Sequence, residues 1–363
     1  MKDCLIISFF SKNETGFGSY YIEALESNAV SYDVLYFERY QMDRCPGENE
    51  IAFKHYCPTG GSRLKKLRTM LGYARFLRKI IRKGRYRALI VLTTMPAVMA
   101  SDLLLKQYRG RFILDIRDYT HEDIGLYTHI ERRLINAAYT TVISSRGFEE
   151  FLPKQRYVYT HNIAKVYTTR STSNIGNKRI YKIGFVGSIR YFKENCALIR
   201  QLSGNERYHL VYHGTHTQGC DLERYCKEHG FENVQFGGSF DNSEKDKLYN
   251  GIDIINSIYG TEGKETTTAV PNRFYDAAIY RCPIIVSKGT YLQELVQEYN
   301  LGIAVDIHRD DVGALLDDYI RTFDKVKFEE GCDRLLEDVE RDMSGYRSML
   351  SSFVLEIGKQ YQQ

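Results

Sequence analysis

The sequence predicts an α/β protein made of two successive halves, each a parallel sheet covered by helices. Three observations carry this. Strand-like apolar runs alternate with helical segments from the first residues onward, the pattern of repeated βαβ units. Those runs lack period-two alternation, as strands covered on both faces do. The cycle then breaks at a polar stretch, TTRSTSNIGNKR (residues 168–179), and starts again beyond it. A length of 363 residues is too great for one ordinary domain and suits two.

Taken in order, the first run, CLIISFF, follows Lys2 and Asp3 and reads as a buried strand. It is too short for a secretion signal, and no small-residue cleavage site precedes SKNETG. The loop SKNETGFGS contributes Gly16 and Gly18, which permit close backbone approach of a ligand. Tyr21 stands where a dinucleotide fingerprint needs its third glycine, so a plain turn is an equal reading. A helix over residues 20–27 and the strand VSYDVLYF come next. Residues 63–87 form a long helix, followed by the strands RALIVLTT, RFILDIRD and TTVISS. In the second half IYKIGFVGSI, YHLVYHG, VQFGG, IDIINS, CPIIVS and LGIAVDI are strand-like, with helices between most of them. A last helix from about residue 344 has no strand after it. The predicted boundaries are a first domain over 1–167, a linker over 168–180, a second domain over 181–343, and a terminal helix over 344–363 that returns to the first domain.

Composition narrows the class of protein. With 43% hydrophobic and 26% charged residues the chain is a folded one, and no stretch of 18 apolar residues exists to span a membrane. The 8 cysteines are scattered through strands and helices, as reduced thiols of a cytoplasmic protein are. Residues 51–101 hold no acidic side chain, yet residues 63–87 carry eleven cations from Arg63 to Arg87. In that helix Leu64, Leu67, Leu71, Ala74, Leu77 and Ile81 recur at three- and four-residue steps, so one face packs or inserts. Three readings compete: a solvated helix over the first sheet, a nucleic-acid surface, and an anionic membrane surface. No nucleic-acid module accompanies the charge. The membrane reading fits best, since each Lys or Arg near an anionic surface contributes about 1 kcal/mol. The expected location is cytoplasmic, peripheral at the inner face of the cell membrane, with no nucleic-acid partner.

The candidate binding residues gather in loops that follow second-half strands, where open α/β sheets bind ligands. GFVGSIRYFKENCALIRQL places Gly187 in a turn, with Arg190 and Lys193 at the start of a helix, a ready anion site. YHGTHTQG sets His213 at the end of the next strand. In AVPNRFYDAAIYRCPIIVSKG, Pro271 suits a first helical turn, and Asn272, Arg273 and Asp276 follow within it. In the first half DIRDYTHED crowds ionisable groups past a strand end, and Asp118 and His121 are the candidates for acceptor activation. A solvated loop with local ion pairs is the alternative there. His213, His216, Cys220, Cys226 and His229 lack the paired spacing of a structural zinc site, so no metal is assigned.

On these motifs the chain resembles the GT-B glycosyltransferases, in particular the retaining family 4 type of bacterial capsule and O-antigen assembly. Gly187 to Lys193 matches their strand-G-x-x-x-x-x-K pattern, Asp276-AAIYRC-Pro283 their second acidic position and following strand, DIRD their first-domain element, and THNI the end of that domain. The sequence departs from them at Thr268, where their first acidic residue stands, at Ser188 after the first glycine, and at Asp276 in place of Glu. The resemblance implies two Rossmann-like domains facing a cleft and a nucleotide-sugar donor gripped at its diphosphate by Lys193 and Arg190. It also implies a ribose held by Asp276 and transfer to a lipid-linked or oligosaccharide acceptor. No D-x-D triplet occurs, so the implied enzyme is metal-independent and needs no cofactor besides its donor. A nucleotide-sugar epimerase or hydrolase of the same fold, and a non-catalytic nucleotide-sugar- or nucleic-acid-binding protein, are the alternatives.

Overall fold

The computed structural model describes residues 2–10, 18–39, 45–56, 63–163, 175–176, 178–217 and 221–359. It divides into two compact units, one of residues 1–161 with 341–363 and one of residues 162–340.

In the first unit the elements run β1 (Cys4–Ser8), α1 (Gly18–Ser27), β2 (Tyr32–Glu38), β3 (Glu50–Lys54), α2 (Arg63–Gly84), β4 (Ala88–Leu92), α3 (Thr94–Met99), α4 (Ser101–Gln107), β5 (Phe112–Ile116), α5 (Gly125–Ala137), β6 (Thr140–Ile143) and β7 (Val158–Tyr159). The strands pair in the order β3-β2-β1-β4-β5-β6-β7, all parallel. Cys4 sits opposite Ala88 and Ile7 opposite Val91, so β1 and β4 end side by side. The central strands are buried along their whole length, which is why their sequences read as unbroken apolar runs. Leu5, Ile7, Leu35, Leu89, Val91 and Leu114 build the core with Tyr73, Leu77 and Ile81 of α2.

The second unit continues with β8 (Tyr181–Val186), α6 (Phe192–Leu202), β9 (Tyr208–His213), α7 (Leu222–His229), β10 (Val234–Gly238), α8 (Lys245–Asn250), β11 (Ile254–Ser257), α9 (Lys264–Thr268), α10 (Asn272–Ile279), β12 (Ile284–Ser287), α11 (Tyr291–Glu298), β13 (Gly302–Val305) and α12 (Val312–Arg321). Its sheet is again all parallel, in the order β10-β9-β8-β11-β12-β13. Both sheets therefore reverse their winding once, between β1 and β4 and between β8 and β11. Ligands of doubly wound sheets bind outside the carboxyl ends of the strands at that switch point.

Two departures from the sequence reading stand out. The edge strand β3, EIAFK, is only half-buried, so it lacks the apolar run that marks the other strands. The terminal helix α13 spans Lys325–Lys359 and starts well before residue 344. Asp324 caps its first turn, accepting from the Lys327 N–H at 3.1 Å, and Phe328, Cys332, Leu335, Val339 and Met343 carry a buried face onward at three- and four-residue steps. Most of the expected linker, like Gly16, lies outside the described residues.

Candidate functional site

At the switch point of the second unit, β8 and β9 end in two turns pressed against each other. Gly187 (φ +139°) donates its N–H to the His213 carbonyl at 2.9 Å. Gly214 (φ +141°) lies so close that a Cβ on it would fall 1.8 Å from the Gly187 carbonyl oxygen. Only residues without a side chain allow this contact, and it leaves bare backbone facing the strand ends.

Under Gly187 sits Arg273. Its guanidinium lies 3.8 Å from the Phe185 ring centroid and 5.1 Å from that of Tyr259. One terminal nitrogen donates to the Val186 carbonyl at 3.0 Å and the other to the Tyr259 hydroxyl. Arg273 is 5% exposed and its Nε has no hydrogen-bond partner. Among the described residues no carboxylate pairs with it. A buried cation without a counter-ion is costly, so this site is short of one negative charge. Arg273 belongs to the first turn of α10, whose N-terminus has no side-chain cap. The unmet N–H groups and the helix dipole favour an anion at the same place.

Two tyrosines flank the turn. Tyr191, in the left-handed conformation (φ 57°) just before α6, stacks on Tyr259 with ring centroids 4.5 Å apart. Two residues on, the exposed Lys193 ammonium meets Glu262 Oε1 at 3.0 Å. That hydrogen bond, and then the charge of Glu262, raises the Lys193 pKa above the ordinary lysine value. A pair so open to water holds weakly, so Lys193 can exchange Glu262 for another anion. Arg190 is exposed nearby, and its carbonyl accepts from Asn195 at 2.8 Å. His213 is half-buried, and burial lowers its pKa, favouring the neutral ring.

The other second-unit candidates fall differently. Thr268 is fully buried, and its hydroxyl donates to the Lys264 carbonyl at 2.6 Å. Asn272 is exposed at the start of α10. Asp276 is buried on that helix, where its carboxylate accepts from Lys245 Nζ at 3.0 Å and from the Tyr249 hydroxyl at 2.8 Å. Among the described residues no group of three His, Cys, Asp or Glu side chains converges, and Cys220 lies outside them.

The switch point of the first unit carries a cavity of about 390 Å³. Phe9 and Phe10 line it from the end of β1, Arg39 from the end of β2, Thr93 from the end of β4, and Asp118 and His121 from the loop after β5. The DIRD segment divides its labour. Asp115 and Arg117 form a buried two-bonded ion pair (2.6 and 2.8 Å), with Tyr21 donating to Asp115 at 2.7 Å. Asp118, one residue on, is exposed at the cavity wall. Gly18 opens α1 and is buried.

Three cavity features escaped the sequence reading. Arg39 lies over the rings of Phe9 (4.6 Å) and Phe37 (4.7 Å), with its Nε buried and unbonded. Thr93 adopts φ 75°, a region β-branched residues avoid, at the sharp turn from β4 into α3. Such strain persists where surrounding structure enforces it and clusters at ligand sites. Phe9 and Phe10 were legible only as the end of a strand.

No family model matches the sequence, and no curated relative does. Solved structures do match. HepE of Anabaena, crystallised in complex with UDP, is 13% identical and superposes with a TM-score of 0.61, covering 99% of each chain. Sucrose-phosphate synthase from Thermosynechococcus elongatus is 12% identical with a TM-score of 0.61, over 100% of this chain and 99% of that one. The lipopolysaccharide outer core galactosyltransferase WaaB is 11% identical with a TM-score of 0.60, over 98% and 99%. These are GT-B glycosyltransferases, and the chain shares their fold of two α/β units, each with a parallel sheet.

Proposed function

We propose that this protein is a retaining glycosyltransferase that moves a sugar from a nucleoside-diphosphate sugar to a lipid-linked glycan in bacterial surface-polysaccharide assembly. The observation that carries the donor half is Arg273, a buried guanidinium without a counter-ion beneath the bare Gly187 turn. A diphosphate supplies the missing charge. Its remaining charge falls to Lys193, Arg190 and the uncapped start of α10, so transfer proceeds in the presence of EDTA. HepE was solved with UDP-glucose bound, which makes a uridine donor the first to test.

In the reaction the donor C1–O bond breaks and its electron pair leaves on the diphosphate, where Lys193 stabilises the charge. The acceptor hydroxyl oxygen bonds to C1 from the same face. The proton it loses passes to Asp118 or His121 in the first unit's cavity. Asp276, whose carboxylate is held in place by Lys245 and Tyr249, binds the donor ribose. The membrane contact belongs to α2, and the protein works at the inner face of the cell membrane.

Thermal-shift screening against UDP-, GDP-, CMP- and dTDP-sugars tests the donor assignment, with stabilisation expected from one nucleotide class. No shift with any of them removes it. Turnover of the donor without acceptor instead indicates an epimerase or hydrolase. Lys193→Ala is expected to abolish transfer with the melting temperature unchanged, and full activity in that variant refutes its role.

A further inference from the structure

Adjoining the wall of the first unit's cavity lies a polar cluster that the proposed reaction does not use. Six side-chain atoms there are buried without a fully formed hydrogen bond: the hydroxyls of Thr93, Thr94 and Tyr127, Glu122 Oε1, and both carboxyl oxygens of Glu131, although Glu131 lies against Glu122 and Thr94 and Tyr127 against Thr94 and Thr120. Protein interiors leave few such atoms, so several in one place call for an explanation. Glu131 projects from the inner face of α5 and is 1% exposed. Glu122 is tied to the cavity wall. Its Oε2 accepts from the Thr120 N–H at 2.5 Å and its carbonyl from the Thr128 hydroxyl at 2.7 Å, while Thr120 and His121 line the cavity.

The surroundings of Glu131 are short of positive charge. Glu122 faces it from the loop after β5, Thr94 from α3, Tyr157 from the segment before β7, and Tyr127 and Arg132 from α5 itself. Arg132 is the one cation in this set, and it is exposed. Two neighbouring carboxylates in a buried setting cannot both ionise cheaply. Burial, followed by the charge of Glu122, pushes the Glu131 carboxyl up to about 8.

We propose that Glu131 and Glu122 share one proton and thereby hold the Thr120–His121 wall of the cavity in its ligand-binding position. Glu131 is thus a positioning residue. With the proton present, one carboxyl donates to the other and Glu122 stays seated on the Thr120 amide. When the proton leaves to solvent, two like charges face each other, Glu122 swings away, and the wall loosens. The functional half of this inference rests on the cavity being the acceptor site; the proton pair does not.

Glu131→Gln keeps the shape and a donor while removing the charge, so its wall should hold at every pH. The folded carboxyl titrates above its unfolded value of about 4.3. The proton therefore stabilises the wild type fully below that value, and the stabilisation is lost as pH rises through about 8. Thermal unfolding of the full chain from pH 5 to 9 should show the wild-type melting temperature dropping relative to Glu131→Gln up to about pH 8 and running parallel above it. An infrared carboxylic-acid band at pH 7, missing in the variant, is expected alongside. Where Glu131→Gln does not fold, Glu122→Gln tests the pair differently: burial still holds the Glu131 proton, so its melting temperature should fall with pH over a narrower range than the wild type's, and a fall identical to the wild type's overturns the pair. Parallel melting curves over the whole range overturn the pair. So does a melting temperature raised by Na⁺, K⁺ or Ca²⁺ in the wild type only, which puts a cation where the proton is assigned. In the activity arm, wild-type acceptor KM should rise about tenfold from pH 7 to 9, the change one pKa unit of coupling gives, with kcat little moved. Glu131→Gln should stay flat. A flat wild-type KM beside a pH-dependent melting gap keeps the proton pair and removes its positioning role, whereas absence of any transfer strikes the acceptor reading and leaves the melting test standing.

Discussion

A single methyl group tests the turn on which the donor assignment stands. Gly214 has a backbone conformation that side chains rarely adopt, and any Cβ there meets the Gly187 carbonyl at 1.8 Å. Gly214→Ala must therefore displace either the β8 turn or the β9 turn. Backbone strain of this kind costs roughly 1–3 kcal/mol, and the clash adds to it. Chemical denaturation should show the second unit destabilised by at least that much, and nucleotide-sugar binding should weaken with it; wild-type stability in the variant would mean the two turns are not pressed together. Residues of this kind were partly legible. Gly187, Lys193 and Arg273 stand within short local patterns, so the sequence singles them out. Arg39 and Thr93 do not, because their meaning comes from strand register, which sets the ends of β1, β2 and β4 beside one another. Asp276 was legible as an acidic position in a helix, but not its partners Lys245 and Tyr249, which lie far from it in sequence.

The helix α2 shows how a correct element can hide two faces. Its apolar residues read as one stripe, yet at 100° per residue they separate. Tyr73, Leu77 and Ile81 are buried in the first unit's core, whereas Leu64, Leu67 and Leu71 are 71%, 57% and 48% exposed on the first three turns. Leucines so exposed and spaced three and four apart form an apolar ridge, with the exposed Lys65, Arg68 and Arg75 nearby. Arg78 and Arg82 are drawn instead to Asp102, at 2.6 and 3.6 Å. The ridge and its cations match an anionic bilayer surface, where apolar area and positive charge add. Replacing Leu64, Leu67 and Leu71 by Glu should lower co-sedimentation with anionic vesicles more than tenfold, since about 1.5–3 kcal/mol per leucine is at stake. Stability should barely change, because none of the three is in the core. Wild-type protein should release from such vesicles as salt rises and ignore neutral ones; equal absence from both kinds would remove the membrane from the proposal.

The two-sheet architecture was legible because central parallel strands are apolar along their whole length and here alternate regularly with helical segments, a succession that isolated buried helices do not give. What the sequence concealed was how early the last helix begins. α13 begins within the second unit's residues, and its latter part belongs to the first. There Met343, Tyr346, Leu350, Phe353, Val354 and Ile357 are all buried. Tyr346 lies edge-on to Tyr20 and Tyr21 (5.9 and 5.8 Å), and Asp342 meets Arg146 and His161, each at 3.0 Å. At about 1.5–3 kcal/mol per buried apolar side chain, these six contribute on the order of 9–18 kcal/mol as an upper bound. That equals the whole net stability of a typical domain, about 5–15 kcal/mol. Ordering the helix offsets part of that gain, so the first unit without it is expected to be marginal rather than fully stable. A chain ending at residue 340 should keep a protease-resistant second unit while its first unit is digested. A synthetic peptide of residues 341–363, added in trans, should restore resistance, because the apolar surface it covers is left open. Resistance of the first unit without the peptide would show that the sheet and its own helices suffice, and that the terminal helix is only a tether.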